Sequence, residues 1–240
     1  RPLNKTKGCL IANFATVPVF VPLAFKPRDC RKITGSKQSL TDDDFFLKEL
    51  HSSEKWPAFL QTAVEKKRTI VICGETGSGK TVLTRALLKS LHKDERVIIL
   101  EDVHEVTVDH VVEAVYMMYG DAGKIGRVSA TDALRACMRL TPGRIIMTEL
   151  RDDAAWDYLK ALNTGHPGGV MSTHANSARD AFNRIGLLIK ATPIGRMLDM
   201  SDIMRMLYST IDVVVHMEKR KIKEIYFDPE YKMQCVNGSL

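Results

Sequence analysis

The sequence contains no apolar run approaching the ~20 residues that a membrane-crossing helix requires. Its longest candidate, residues 17–25, is short and broken by Pro18 and Pro22. Nothing in it resembles a cleavable signal peptide. The expectation is a soluble, intracellular protein that at most rests against a membrane. Cysteine is sparse: Cys9, Cys30, Cys73, Cys137 and Cys235 form an odd, widely spaced set with no C-x-x-C pair. That argues against a disulfide framework and against zinc. Cys73 lies in an apolar run and reads as a small core residue. Aromatic residues make up only 7% of the chain and do not interleave with basic clusters, which disfavours a groove that tracks single-stranded nucleic acid by base stacking. Acidic residues are nearly missing from the first 40 positions, where eight Lys/Arg face a single Asp. The formal charge of +6 therefore belongs to that segment, and the rest of the chain is close to neutral. Such a segment suits anionic lipid, nucleic acid or nucleotide phosphates. A solvated linker with surplus lysines is the plainer alternative.

What is present is a soluble-protein balance, 45% hydrophobic and 27% charged over 240 residues, enough for one large domain or one domain and a smaller piece. Residues 1–37 are rich in Pro, Gly, Lys and short β-branched runs and read as strands and turns ending in a linker. From Leu40 the texture changes. Thr41 followed by Asp42, Asp43 and Asp44 is a helix start, with acids at the positive end of the helix dipole. A helix is expected over 57–67 and an apolar β-branched strand over 69–73. Strands and helices then alternate: strand 97–100, helix 131–140, strand 144–148, helix 152–162, strand 170–173, helix 177–190, strands 211–217 and 221–227. The alternation predicts an α/β fold with a mainly parallel sheet covered by helices.

The strongest chemical signal is Gly74-Glu75-Thr76-Gly77-Ser78-Gly79-Lys80-Thr81, which fits G-x-x-x-x-G-K-[ST]. Its glycines let the backbone turn N–H groups toward phosphate oxygens, and the helix that follows adds its positive end. Lys80 would place a point charge on the outer phosphates, and the Thr81 hydroxyl would ligate magnesium. Acids follow two apolar strands: Glu101 and Asp102 with Glu105 close behind, and Glu149 after Thr148. At the C-terminal ends of parallel strands they would open into the ligand crevice, one as general base and another holding metal. A third constellation runs from Thr164 through His166, Gly168 and Gly169 to His174 and Asn176. It puts a Gly-rich turn before a strand and His174 just after it, near Glu149. His174 could sense the terminal phosphate or relay its loss; on spacing alone a hydrogen-bonded structural histidine is the better reading.

Together GETGSGKT, LEDVHE, LTPGRIIMTELRDDAAWDYLKALNTGHPGG and STHANS resemble the traffic ATPases of type IV secretion systems, within the wider secretion ATPase superfamily of type II secretion and type IV pili. The resemblance spans about residues 57 to 227. It implies a RecA-like P-loop domain over 38–240 preceded by the remnant of a smaller α+β N-terminal domain over 1–37. It also implies ATP with Mg2+ held between the domains and a homohexameric ring at the cytoplasmic face of the inner membrane. Inner-membrane and coupling components of a secretion system are the implied partners, with peripheral contact to anionic membrane, and nucleic acid enters only as secreted cargo. By position, residues 74–81 look like the Walker A loop. Glu101 and Glu105 look like the acidic box, Glu149 with neighbouring Arg151 like Walker B, and His174 like the His-box histidine. Two departures stand out: Thr148 replaces a usual glycine before the Walker B glutamate, and Val82 replaces a frequent Thr or Ser. Thr148 leaves less room beside Glu149. Lys26, Arg28 and Arg31, and on a later helix Arg135 and Arg139, are candidate nucleotide-contacting or arginine-finger cations.

The function so implied is an ATP-driven motor for pilus assembly and substrate translocation. Tight-adherence pilus and type II secretion ATPases are the alternatives inside the superfamily, although type II members typically carry a tetracysteine zinc motif that this sequence lacks. A RecA-like nucleic-acid translocase and a non-hydrolysing nucleotide-gated scaffold are the alternatives outside it.

Overall fold

Residues 38–120, 128–151 and 154–238 are described in a computed structural model. The positions of Lys26, Arg28 and Arg31, and the expected N-terminal domain, lie outside them. The chain runs α1 (Asp42–Ser52), α2 (Trp56–Glu65), β1 (Ile70–Gly74), α3 (Lys80–Leu88), β2 (Arg96–Glu101) and β3 (Glu113–Met118). It continues with α4 (Ala130–Met138), β4 (Arg144–Met147), α5 (Ala154–Asn163), β5 (Val170–Thr173) and α6 (Ala178–Ala191). A single 3-10 turn at Gly195–Met197 leads to α7 (Met200–Thr210), β6 (Val213–Glu218), β7 (Lys221–Phe227) and α8 (Pro229–Asn237).

The strands form one seven-stranded sheet in the order β3-β2-β4-β5-β1-β6-β7. Every neighbouring pair is parallel except β6–β7, a hairpin at the edge. The expected α/β architecture is therefore observed. Helices cover both faces, so strand residues alternate between two cores. Ile70, Ile72, Val97, Ile99 and Ile146 pack with Leu47, Phe59 and Leu88 from α1–α3 on one face. Val71, Cys73, Ile98, Leu100, Ile145 and Met147 pack with Leu134, Tyr158, Phe182, Ile185 and Leu207 from α4–α7 on the other. This explains why the central strands read as unbroken apolar runs: both sides of the pleat leave water. Each fully buried side chain of this size contributes about 1.5–3 kcal/mol.

Local signals set several boundaries. Thr41 caps α1 in a reciprocal box with Asp44, the Asp44 N–H donating to Thr41 Oγ1 (3.3 Å) and the Thr41 N–H to Asp44 Oδ2 (2.8 Å). The helix expected over 57–67 starts one residue earlier and ends at Glu65, because Lys67 turns into the left-handed region at φ 52°. Strand β6 starts at Val213, two residues later than expected. The Ile211 N–H closes α7 by donating to Leu207 O, and the Asp212 carboxylate accepts the Thr69 N–H at 2.7 Å. β3, α7 and α8 are not among the elements read from the sequence. β3 is an edge strand of intermediate and exposed residues although Ala114 to Met118 are all apolar, and in α7 only Ile203, Leu207 and Thr210 are buried.

Candidate active site

Parallel packing brings the C-terminal ends of β1, β2, β4 and β5 to one edge of the sheet, and the three sequence motifs meet there. β1 ends at Gly74 with φ 150°, and a Cβ at that position would lie 2.3 Å from Met217 O and 2.6 Å from Ser78 Oγ. No side chain larger than glycine fits without moving backbone. Gly77 and Gly79 also have positive φ, 76° and 99°. Gly79 is the N-cap residue of α3 and provides no side-chain cap, unlike Thr41, Ser129 and Ser177 at α1, α4 and α6. The first N–H groups of α3 are thus left for an anion. Lys80 Nζ closes the loop by donating to Gly74 O (2.8 Å) and Glu75 O (2.9 Å). Burial lowers its pKa, partly opposed by the charge of Glu149. Cys73 is fully buried, as expected, and burial pushes its thiol up to about 12.

A cavity of about 450 Å³ opens beside this loop. Thr76, Gly77, Lys80 and Thr81 form one wall, Asp102 and Glu105 a second, and Thr148, Glu149, Arg151 and His174 the third. Glu149 Oε2 accepts from Arg151 Nη2 at 2.8 Å, and Glu149 Oε1 lies 3.5 Å from His174 Nε2. Arg151 Nη1 also pairs with Asp102 Oδ2 at 2.9 Å. The Arg151 hydrogen bond holds the Glu149 carboxyl below the ordinary carboxylate value against the opposing effect of burial, with the charges of Arg151, His174 and Lys80 acting the same way as the bond. The backbone under Glu149 is anchored from elsewhere. The Tyr119 hydroxyl donates to Glu149 O (2.8 Å) and the Ser172 hydroxyl to Thr148 O (2.5 Å). Thr148 lies outside the left-handed region and its hydroxyl reaches Leu100 O at 3.4 Å, so the missing glycine imposes no backbone strain.

Glu101 departs from expectation. It is fully buried and does not line the cavity. Its carboxylate accepts the N–H groups of Glu105 (3.1 Å) and Val106 (3.0 Å) and sits 2.8 Å from His104 Nδ1. Folding the loop after β2 thus consumes the carboxylate, and the residues presented to the cavity are Asp102 and Glu105. Arg85 Nε steadies this loop by donating to Glu105 O at 2.7 Å. His166 is also displaced from the site. It lies in the turn before β5, at the opposite edge of the sheet, with Nδ1 2.9 Å from Pro142 O. Arg135 on α4 and Arg139 at its C-cap are exposed and outside the cavity, Arg135 standing 3.7 Å from Asp132 and 3.9 Å from Asp157. Glu75 and Ser78 face the other side of the loop, toward the β6–β7 hairpin. Tyr119, Thr84 and Ser172 belong to the site but were not singled out in the sequence. Tyr119 follows an edge strand and reaches Glu149 only through the fold.

The donor set fits a nucleotide with Mg2+. The Thr81 hydroxyl and the Glu149, Asp102 and Glu105 carboxylates are hard oxygen donors on walls facing Lys80 and the loop amides. Among the described residues no group of three or more His, Cys, Asp or Glu could hold a metal ion.

This sheet and loop define a RecA-like P-loop nucleotide-binding protein. Within that class, the chain belongs to the Type II/IV secretion system protein family, which it matches over residues 31–224. It is 37% identical over 212 residues to the type IV secretion system protein VirB11 of Brucella suis biovar 1 (strain 1330), covering 84% of this chain and 59% of that one. It is 40% identical over 167 residues to the type IV secretion system protein PtlH of Bordetella pertussis, covering 69% and 49%. The crystal structure of the VirB11 ATPase from the Brucella suis type IV secretion system in complex with sulphate superposes with a TM-score of 0.77 at 34% identity, covering 86% of this chain and 62% of that one. The pilus retraction motor PilT with bound ADP shares the fold alone, with a TM-score of 0.55, 22% identity, and coverage of 72% and 51%. The chain thus spans about three fifths of the length of the Brucella VirB11 and about half that of PtlH.

Proposed function

We propose that this chain is the ATP-hydrolysing part of a type IV secretion motor. The observation that carries the reading is that Lys80, Thr81 and Glu149, distant in sequence, face one cavity. In this reading the loop amides, the start of α3 and Lys80 hold the phosphates of ATP. Thr81 would ligate Mg2+ directly and Glu149 would contact it only through water, and the ion would offset charge on the outer phosphates. Arg151 is the switch on Glu149. While paired, Glu149 is a weaker base than a free carboxylate. A terminal phosphate that draws the guanidinium away leaves Glu149 free to accept the proton of the attacking water. His174, beside Glu149, registers the loss of that phosphate.

The membership in the secretion family and the two type IV secretion relatives support the further reading. Six copies form a ring at the cytoplasmic face of the inner membrane, and ATP-driven conformational change drives pilus assembly and substrate transfer. ATP would favour one conformation of the subunit over another, and hydrolysis would remove that preference.

The test uses the intact protein. Glu149→Gln should retain ATP, measured by equilibrium binding, while turnover falls by about 10²–10⁴-fold, the usual worth of a general base. Lys80→Ala should lose ATP itself. Particle mass with a non-hydrolysable analogue should give six subunits. Wild-type turnover in Glu149→Gln, or a persistent monomer, would sink the corresponding part of the proposal.

A further inference from the structure

Behind the acids lies a second, smaller cavity of about 220 Å³. Leu150, Thr173 and Leu188, all buried, close one side of it, and Arg184 reaches it from α6. Glu149, Arg151 and His174 line both this cavity and the larger one, so the partition between the two is made of three side chains. The partition is lightly held. Arg151 and His174 are about half exposed, and exposed ion pairs of this kind contribute little.

Arg184 distinguishes the smaller cavity. Among the described residues it has no ion-pair or hydrogen-bond partner, whereas Arg151 is shared between Asp102 and Glu149. An exposed, unspent guanidinium therefore lines the same cavity as a second guanidinium and an imidazole. Planar guanidinium forks are suited to bidentate contact with a tetrahedral oxyanion. The volume is ample, since one water occupies about 30 Å³ of liquid.

We propose that the smaller cavity is a product subsite that receives orthophosphate after cleavage and holds it between Arg151 and Arg184 before release. This rests on the ATP-hydrolysis reading above. Once the bond to the terminal phosphate has broken, Glu149 carries the proton taken from the water and no longer competes with the freed anion for Arg151. ADP still fills the loop side of the larger cavity. The partition residues rotate, and the anion moves toward the unpaired charge of Arg184. No bond forms or breaks in this passage.

The test is inhibition of steady-state turnover by inorganic phosphate in the intact protein, with wild type, Arg184→Gln and Arg184→Lys compared. Removing one charge-assisted contact should weaken phosphate inhibition roughly ten-fold or more in Arg184→Gln. Arg184→Lys should recover part of it. The affinities for ADP and for a fluorescent ATP analogue should stay at wild-type values in both variants. An unchanged inhibition constant in a variant that melts like wild type overturns the assignment. So does a parallel loss of ADP affinity, or turnover in wild type that phosphate does not inhibit. A wild-type protein that binds neither nucleotide would take down the hydrolysis reading as well, so the two failures are told apart by the nucleotide titration.

Discussion

At the N-terminal edge of the parallel sheet Arg144 is fully buried and spends its guanidinium completely. It donates to both Glu95 carboxylate oxygens (2.9 and 3.0 Å), to Val64 O (3.0 Å) and to Gly168 O (3.2 Å). At the C-terminal edge Arg151 is half exposed, shared between two acids, and faces a cavity. Burial would raise the pKa of Glu95, but the Arg144 hydrogen bonds and charge outweigh it and hold the carboxyl low. Glu149 is likewise held low, there chiefly by the Arg151 bond. The two pairs look alike as chemistry and differ in saturation. A pair whose every donor is satisfied in the core ties β4 to the turn before β2, to α2 and to the turn before β5, and has nothing left to offer a ligand. A pair that water reaches, with partners that can exchange, can respond to one.

The contrast breaks if the two arginines can be removed with equal consequences. Arg144→Ala should be the most damaging substitution, costing about 3–5 kcal/mol because it strands a largely buried carboxylate and two carbonyls. The denaturation midpoint measures this, and a loss well below that range would mean that the buried pair is not the brace described. Two glycines sharpen the same comparison at the next level of effect. Gly74 and Gly168 sit at opposite edges with φ 150° and 83°, and a Cβ would meet Met217 O at 2.3 Å and Lys67 Cα at 2.9 Å. Alanine at either should cost about 1–3 kcal/mol through backbone strain. Nucleotide affinity should fall only in Gly74→Ala, and an equal fall in Gly168→Ala would show that the two edges are not separable.

The smallest stability effect belongs to Arg151→Gln, below about 1 kcal/mol for a pair this exposed. Its signature is in pH dependence. The native Glu149 carboxyl is depressed, so it stays ionised to lower pH than a free carboxylate and any stability from the pair is lost as pH falls through that depressed value. Without Arg151 it should protonate at higher pH, and the acid limb of the remaining turnover should move upward. An acid limb that does not move would remove Arg151 from control of Glu149.

The sequence by itself determined the loop and most of the sheet. Residues 74–81 need glycine where the backbone turns left-handed or brushes Met217, and that demand is local. The runs at 70–73, 97–100 and 145–147 read as strands because both faces are buried, which forces every position to be apolar. The tertiary structure alone decided which charges are spent. Glu101, Asp102 and Glu105 form one acidic cluster in the sequence, yet only the folded loop shows Glu101 consumed by its own amides and the other two facing the cavity. His166 and His174 flank the same strand and lie at opposite edges of the sheet. Arg144 finds Glu95 49 positions away, and Tyr119 finds Glu149 across 30. Whether an ionisable group works or braces depends on the partners it meets through space, and sequence spacing holds no record of those distances.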